Sequence, residues 1–243
     1  MRRIGPRAEL PASTVERLAQ ETSAIQRAAD QKKEAEARYS KARRPQEWLV
    51  PVLNTLRAMS GNGGRCMYCS GSEASQVEHY RPKSSYPALT FDWSNLLWAC
   101  GQCNQLKGNQ FNETKIPVNP VDENVWQHFF IDQFGNLRSR WHEALDDLDP
   151  RAEETMRMLA LDRQALQESR LARLKDLRQK AHQAISDLET GQASTSDIEL
   201  KLLEWFQQPF QPDVADYFLD GPGADDATEP FKQLFELMNA SDT

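Results

Sequence analysis

The sequence lacks any long hydrophobic run, and it contains only four cysteines among 243 residues. No stretch approaches the roughly 18 consecutive apolar residues that suggest a transmembrane helix, so we expect no membrane association. Arg2 and Arg3 are not followed by the apolar segment of a secretory signal peptide. Cysteines that are few and confined to one stretch fit a reducing compartment, which predicts a cytoplasmic location.

Nucleotide-binding signatures are also missing. The sequence has no internal repeat, no P-loop and no dinucleotide-binding fingerprint, so any ATP used in the biology of this protein must be bound by another chain. The net charge of -7 is unusual for a nucleic-acid-binding protein. However, the acidic surplus is concentrated after Pro209, where Lys232 is the only basic residue.

All four cysteines lie in one stretch and form two C-x-x-C pairs, Cys66 with Cys69 and Cys100 with Cys103. Each pair can bring two thiolates to one metal ion from a tight turn, and two pairs complete a tetrahedral zinc site. Such a site is structural because it leaves no open position for water. The alternatives are four buried free thiols or a pair of disulfides.

Between and after the cysteine pairs lie residues suited to phosphodiester chemistry. Glu78 and His79 are adjacent, Asn95 precedes an apolar run, and Asn104 follows the last cysteine directly. A histidine alone would more often be an ordinary surface residue. Its position within this frame favours a functional role.

Together these residues resemble the HNH, or ββα-metal, nuclease motif, here as an H-N-N variant at His79, Asn95 and Asn104. The resemblance implies that His79 is the general base and that Asn95 bridges the backbone and holds the loop that aims His79. It also implies that Glu78 and Asn104 hold one catalytic Mg²⁺ or Mn²⁺ ion, separate from the zinc. Two departures are Glu78, where aspartate is more common, and Asn104, a weaker ligand than histidine.

The run from His79 to Leu97 is longer than the generic motif. It resembles the HNH nucleases of bacterial anti-phage operons, which include the nuclease subunit of Septu systems and the effector of some retrons. The resemblance implies a nuclease effector that works beside an ATPase subunit in a defence complex. The implied substrate is nucleic acid, with DNA favoured and RNA as the alternative.

Basic residues surround the motif. Arg81, Lys83 and Lys107 are natural phosphate contacts, since phosphates supply most of the affinity for nucleic acid, but each could also be ordinary surface charge. A different class of function is a zinc-knuckle module that binds nucleic acid or protein without catalysis. The adjacent Glu78 and His79 favour the enzyme, because a pure binding module does not need a base beside a carboxylate.

The flanks read as mainly helical, so we predict an α+β, mostly α-helical protein built around a small zinc-knuckle ββα-metal module. The expected divisions are an N-terminal helical region at residues 1–60, the nuclease module at 61–115 and a helical C-terminal region at 116–243. One helix is predicted from Ser13 to about Arg43. Its charged part, residues 28–44, is a solvated helix, a nucleic-acid arm or a surface for a partner. A second helix is predicted at residues 47–59.

Within the module we expect a strand at residues 76–79 and a second strand or extended segment near 89–93. Helices are expected at about 95–100 and at 103–109. Further along, alternation predicts a hairpin with strands at 129–132 and 137–139. Helices should follow from Pro150 and at residues 163–189, and a capping box at Ser196 and Glu199 should start another. Aromatic residues in the acidic C-terminal part predict short helices at 213–219 and 229–238, which could dock on this chain or on a partner.

Overall fold

The structure is a computed structural model that describes residues 1, 3–42, 47–61, 63–71, 74–206 and 233–234. Within these residues helices dominate, and the strands form separate two-stranded sheets. The predicted α+β, mostly helical class is therefore confirmed. Among the described helices, none combines the length and the apolar character needed to cross a membrane.

The N-terminal region forms two helices where one was predicted, α1 at Ala12–Arg27 and α2 at Gln31–Ala42. The break follows from the residues between them. Ala28 is extended, and Asp30 accepts a hydrogen bond at 3.0 Å from the backbone N–H of Lys33, as a residue that starts a new helix does. The two helices pack together, and Arg38 of α2 forms a 2.8 Å ion pair with the buried Glu21 of α1.

The second predicted helix is present as a short 3-10 turn at Glu47–Leu49 followed by α3 at Val50–Met59. Val52 and Leu56, one helical turn apart, are fully buried. Helix α3 packs against residues 96–99, which form the second strand of the module, and so supports that strand.

The module itself is a strand pair followed by a helix. Strand β1, Gln76–His79, pairs antiparallel with β2, Leu96–Ala99, and α4 follows at Gly101–Lys107. The strand or extended segment predicted near residues 89–93 and the helix predicted at 95–100 are both wrong. Residues 96–99 are four consecutive apolar residues, all buried, which is the pattern of a strand covered on both faces. Residues 87–95 instead form two 3-10 turns, Pro87–Leu89 and Trp93–Asn95.

The segment after the module carries the predicted hairpin, with β3 at Phe129–Ile131 paired to β4 at Leu137–Ser139. A smaller hairpin, which the sequence did not suggest, pairs β5 at Trp141–His142 with β6 at Asp147–Leu148. Its residues 141–148 are all exposed, so it adds little to the core.

Three helices complete the described chain: α5 at Pro150–Leu159, α6 at Gln164–Glu189 and α7 at Thr195–Phe206. Asp149 caps α5, as the sequence predicts. The capping box of α7 lies two residues earlier than predicted, because Ser194 and Asp197 exchange the reciprocal hydrogen bonds. The helices predicted at 213–219 and 229–238 lie outside the described residues, apart from residues 233–234, which are helical.

Candidate functional site

The four cysteines converge on one point although they come from two parts of the chain. Cys66 and Cys69 lie in the turn before β1, Cys100 caps α4, and Cys103 lies in the first turn of that helix. Their sulfur atoms all lie within 4.8 Å of one another, and all four side chains are buried free thiols. The Sγ atoms of Cys69 and Cys100 are 3.9 Å apart. Four thiolates around one zinc ion are separated by about 3.8 Å, so this set can hold a metal ion.

Hydrogen-bond donors around the sulfur atoms are consistent with a metal site at the four cysteines. The backbone N–H of Cys103 donates to Cys100 Sγ at 3.5 Å, and Arg163 Nη2 donates to Cys103 Sγ at 3.8 Å. Burial lowers the pKa of Arg163, but the nearby Cys103 and Cys69 sulfurs outweigh it and raise that pKa. Arg163 precedes α6, so the C-terminal part of the chain places a positive charge beside the sulfur atoms of the module.

His79, at the end of β1, is buried, and its Nε2 lies 3.0 Å from the carbonyl oxygen of Thr90. A carbonyl can only accept a hydrogen bond, so Nε2 carries the proton and the neutral ring keeps its lone pair on Nδ1. Burial lowers the pKa of His79 to about 4, and the charges of Lys83 and Lys107 act in the same direction. The imidazole is therefore neutral at pH 7. The ring of Tyr39 packs edge-on against it, with centroids 4.9 Å apart.

Glu78 is buried beside a lysine. Lys107 Nζ lies 2.5 Å from Glu78 Oε1 and donates to the carbonyl oxygen of His79 at 2.7 Å. Burial raises the pKa of Glu78 to about 7, although the Lys107 charge acts against this rise. Lys107 is itself fully buried, so its ammonium does not lie on a surface that a phosphate could reach. In this arrangement it joins the end of α4 to β1.

Asn104 lies on α4 and faces the same space as β1. Its Nδ2 donates to Gln76 Oε1 at 2.6 Å, which turns the other end of the amide, the oxygen, away from Gln76. Gln76 and Glu78 are two residues apart on β1 and therefore project from the same face of the strand. An amide oxygen and a carboxylate oxygen are suitable ligands for Mg²⁺ or Mn²⁺.

Asn95 makes three side-chain hydrogen bonds to the backbone around His79. Its Oδ1 accepts from the N–H of Arg81 at 2.7 Å, and its Nδ2 donates to the carbonyls of Arg81 and Leu89 at 3.0 and 3.1 Å. The backbone carbonyl of Asn95 also accepts from the N–H of Tyr80 at 2.9 Å. One residue thus joins the chain leaving β1 to the turn that ends just before Thr90.

A cavity of about 490 Å³ brings several predicted residues together. Glu78, His79, Lys83 and Asn104 line it, and Lys83 Nζ also lies 5.4 Å from the ring centre of Tyr39. Arg81 is turned elsewhere, with its Nη1 at 3.2 Å from Glu113 and its guanidinium over the ring of Phe111. The structure therefore groups Glu78, His79 and Asn104 with Lys83, one of the three predicted phosphate contacts, whereas Asn95 does not line the cavity.

Sequence reasoning missed four contributors to this site: Tyr39, Gln76, Thr90 and Arg163. Two of them had a local signal. Tyr39 is the one aromatic residue on the charged helix α2, and Gln76 shares a strand face with Glu78. Thr90 acts through a backbone carbonyl, which no residue type encodes, and Arg163 is distant in sequence from the cysteines.

Comparison with known proteins agrees with this geometry. Residues 66–110 match the family model described as HNH endonuclease. A protein from Bacillus thuringiensis named Septu protein PtuB is 34% identical over 87 residues, which cover 33% of this chain and 33% of that protein. Another Septu protein PtuB, from Bacillus mycoides (strain KBAB4), is 27% identical over 173 residues, which cover 57% of this chain and 56% of that protein.

The similarity thus spans about a third and a little over half of the length of these two relatives. It is specific where the site lies, because the matched stretch begins at Cys66 and continues past Asn104 and Lys107. Residues 66–110 therefore form a domain that matches the HNH endonuclease model.

Proposed function

We propose that this protein is a metal-dependent HNH endonuclease that hydrolyses phosphodiester bonds in nucleic acid, with DNA as the favoured substrate. One observation carries the proposal. A neutral, buried His79 lies in the same cavity as Glu78 and Asn104, inside a domain that matches the HNH family. A base, a carboxylate and an amide oxygen in one cavity are what metal-assisted hydrolysis requires.

His79 is the general base in this proposal. Its Nε2–H is held by the Thr90 carbonyl, so Nδ1 is the atom that takes a proton from the attacking water. A base whose pKa is about 4 is weak, and general bases work best when their pKa lies nearer the working pH. A bound phosphate would offset the charges of Lys83 and Lys107, which lower this pKa, and would thereby raise the basicity of His79 when substrate is present.

Glu78 and Asn104 would hold the divalent cation through oxygen atoms, and the four cysteines would hold a structural zinc ion. When bound, the divalent cation supplies positive charge that stabilises the scissile phosphate and the leaving oxygen. Lys107 supports Glu78 from the buried side, where it keeps the carboxylate and the end of β1 in place. Lys83 is the residue best placed to meet a phosphate at the cavity, and Arg81 would need to leave Glu113 to do so.

The complex is proposed on different grounds. The relatives carry the name Septu protein, the sequence resembles nucleases that work beside an ATPase, and this chain has no P-loop of its own. We propose an ATPase partner that docks on the charged surface of α2 or on the acidic C-terminal residues. We propose a cytoplasmic location, because cysteines that bind a metal rather than form disulfides are typical of a reducing compartment.

A non-catalytic module remains the competing function, and the Glu78–Lys107 pair favours it. The buried ammonium already compensates the carboxylate, so Glu78 does not need a metal ion to be accommodated in the fold. The two functions differ in whether the cavity binds a divalent cation.

The test is cleavage of plasmid DNA and of RNA with Mg²⁺ or Mn²⁺, compared with EDTA, for wild type, His79→Ala and His142→Ala. His142 is an exposed histidine on β5, so its variant controls for loss of a histidine elsewhere. We expect metal-dependent cleavage that only His79→Ala abolishes. Titration with Mn²⁺, followed by paramagnetic resonance, distinguishes the nuclease from the non-catalytic module. A protein that neither cleaves nucleic acid nor binds Mn²⁺ is not a metal-dependent nuclease.

A further inference from the structure

The segment before α1 runs along the turn that carries Asn95. The backbone N–H of Ile4 donates to the carbonyl of Pro120 at 2.9 Å, and the indole Nε1 of Trp93 donates to the carbonyl of Ala8 at 3.0 Å. The segment is therefore attached at both ends of residues 4–8. Arg7 lies between these two attachments.

Arg7 donates hydrogen bonds to three backbone carbonyls of the turn. Its Nη1 donates to the carbonyls of Trp93 and Leu96 at 2.8 and 2.9 Å, and its Nη2 donates to that of Ser94 at 2.8 Å. The guanidinium also lies over the ring of Trp93, 5.1 Å from its centre. A planar fork with fixed donor directions can hold three acceptors at once, whereas the compact ammonium of lysine cannot reproduce that geometry.

The carbonyls that accept from Arg7 belong to residues on both sides of Asn95. The side chain of Asn95 in turn fixes the backbone of Arg81 and the carbonyl of Leu89, next to the Thr90 carbonyl that holds His79 Nε2. A continuous set of hydrogen bonds therefore leads from Arg7 to the turn, then to Asn95, then to both sides of His79.

We propose that Arg7 is a positioning residue for the nuclease site: it holds the Trp93–Asn95 turn so that Asn95 keeps His79 in place with its proton on Nε2. This inference rests on the proposed function of His79 as general base. Arg7 does not line the cavity and is 86 residues from Trp93 in sequence. Its effect on the reaction is exerted through Asn95.

The alternative is that Arg7 only stabilises the fold, and Arg140 provides a matched control. Arg140 Nε donates to the backbone carbonyls of Trp126 and Phe129 at 2.7 and 3.0 Å, and its guanidinium lies 5.7 Å from the ring centre of Phe130. It makes the same kind of contacts as Arg7 in a part of the protein that does not touch His79. Loss of Arg140 should therefore cost stability alone.

The experiment compares full-length wild type, Arg7→Met, Arg7→Lys and Arg140→Met. In Arg7→Met we expect kcat for nucleic-acid cleavage to fall by about 10- to 100-fold with KM changed by less than about twofold, because a small misplacement of a reacting group is costly. Amide exchange at Tyr80 and Arg81 should become about tenfold faster, since both donate to Asn95. Nitrogen NMR should show the His79 proton shared between Nε2 and Nδ1.

Arg7→Lys should be intermediate in all three measurements and keeps the test usable if Arg7→Met fails to fold. Arg140→Met should lose thermal stability while leaving kcat, these two amides and the His79 signal unchanged. The inference is overturned if the Arg7 variants change no more than Arg140→Met does in exchange and NMR. If wild type does not cleave at all, the proposed function fails, and exchange and NMR still decide whether Arg7 controls the position of His79.

Discussion

Two regions of this molecule each hold a partly or fully buried histidine, and the two are set up in opposite ways. In the HNH module, His79 lies near Lys83 and Lys107, and its ring bonds to a neutral carbonyl. In the segment that links the module to α5, His128 lies between Glu123 and Asp149. Both rings are removed from water, but only His128 has an anionic partner.

The environment of His128 explains the difference. Its Nδ1 is 2.6 Å from Asp149 Oδ2, and its Nε2 is 3.5 Å from Glu123 Oε2. Burial by itself lowers the pKa of His128, but the hydrogen bonds to Glu123 and Asp149 outweigh it and raise that pKa. Arg151 also pairs with Glu123 at 2.6 Å.

The comparison teaches that charge around a buried imidazole decides what it can do. His79 stays neutral and keeps a lone pair available, which suits proton abstraction. His128 has a raised pKa and joins Asp149, the residue that caps α5, to Glu123 in the preceding segment, which suits a structural link. The sequence separates them only through the motif around His79, because the neighbours of each histidine in sequence do not report the charges that folding brings near its ring.

The largest expected effect comes from the metal site of the module. Cys100→Ser removes one of the four proposed zinc ligands while its hydroxyl can still cap α4, so we expect loss of zinc and of protection against amide exchange across residues 66–107. Zinc binding to such sites contributes about 10–16 kcal/mol in isolated peptides, so we expect folding of the module to depend on the metal. Elemental analysis and exchange mass spectrometry measure both effects.

The region around His128 provides the internal reference for that experiment. Exchange at residues 125–151 should change far less than in the module, since their contacts are hydrogen bonds and ion pairs rather than metal ligands. Purified wild type with no bound zinc, or equal loss of protection in both regions, would contradict the assignment.

The next effect is on catalysis and separates the two histidines directly. His79→Ala should lower the cleavage rate by about 10²–10⁴-fold, the usual contribution of a general base, and should leave nucleic-acid binding nearly intact. His128→Ala should leave the rate per folded molecule unchanged and lower the unfolding temperature, because Glu123 and Asp149 lose the imidazole that contacts both of them. Initial rates and thermal unfolding of both variants provide the measurement, and a similar rate loss in both would remove the distinction.

A smaller, conditional effect is expected at the proposed ligands of the divalent cation. Glu78→Ala and Asn104→Ala should weaken metal binding, so excess Mg²⁺ or Mn²⁺ should restore part of their activity. His79→Ala should not respond, because added metal cannot replace a base. The measurement is initial rate against metal concentration, and recovery of His79→Ala at high metal would show that the base has been assigned to the wrong residue.

Local patterns predicted the parts of the fold that depend on neighbours in sequence. The C-x-x-C pairs, the hairpin from Phe129 to Ser139 and the cap at Asp149 all appear in the structure. Residues 96–99 were misjudged, because a four-residue apolar run can be a strand or part of a helix until its burial is known. The break before α2 is not predicted, because Asp30 lies in a charged stretch and nothing in that pattern distinguishes it from a residue inside the helix.

Long-range contacts could not be predicted from these patterns. The sequence suggested that Glu78 and His79 act together with Asn104, but nothing in it showed that Lys107 would be buried against Glu78. Arg7, which reaches the turn around Asn95 from the segment before α1, is the clearest case. Such contacts depend on how whole elements pack, so they appear only when the fold is known.

The smallest effect is on the pH dependence of stability, and the two histidines should act with opposite signs. Stability changes with pH according to whether the unfolded or the folded chain binds more protons. Above the ordinary histidine pKa of about 6.5, folded His128 keeps a proton that the unfolded chain has lost, so stability falls as pH rises through its raised pKa. Between about 6.5 and about 4, folded His79 stays neutral while the unfolded chain gains a proton, so stability falls as pH falls.

Replacement of each histidine by glutamine separates the two windows. His128→Gln should remove a stability loss on the alkaline side, and His79→Gln should remove one on the acidic side that amounts to at most about 3 kcal/mol. Urea unfolding is followed by tryptophan fluorescence from about pH 4 to about pH 9. The difference between each variant and wild type at each pH cancels the titration of the cysteines and carboxylates that both proteins contain. If both variants reduce the pH dependence of stability on the same side, the pKa values of the two histidines are shifted in the same direction. The contrast between their surroundings would then be wrong.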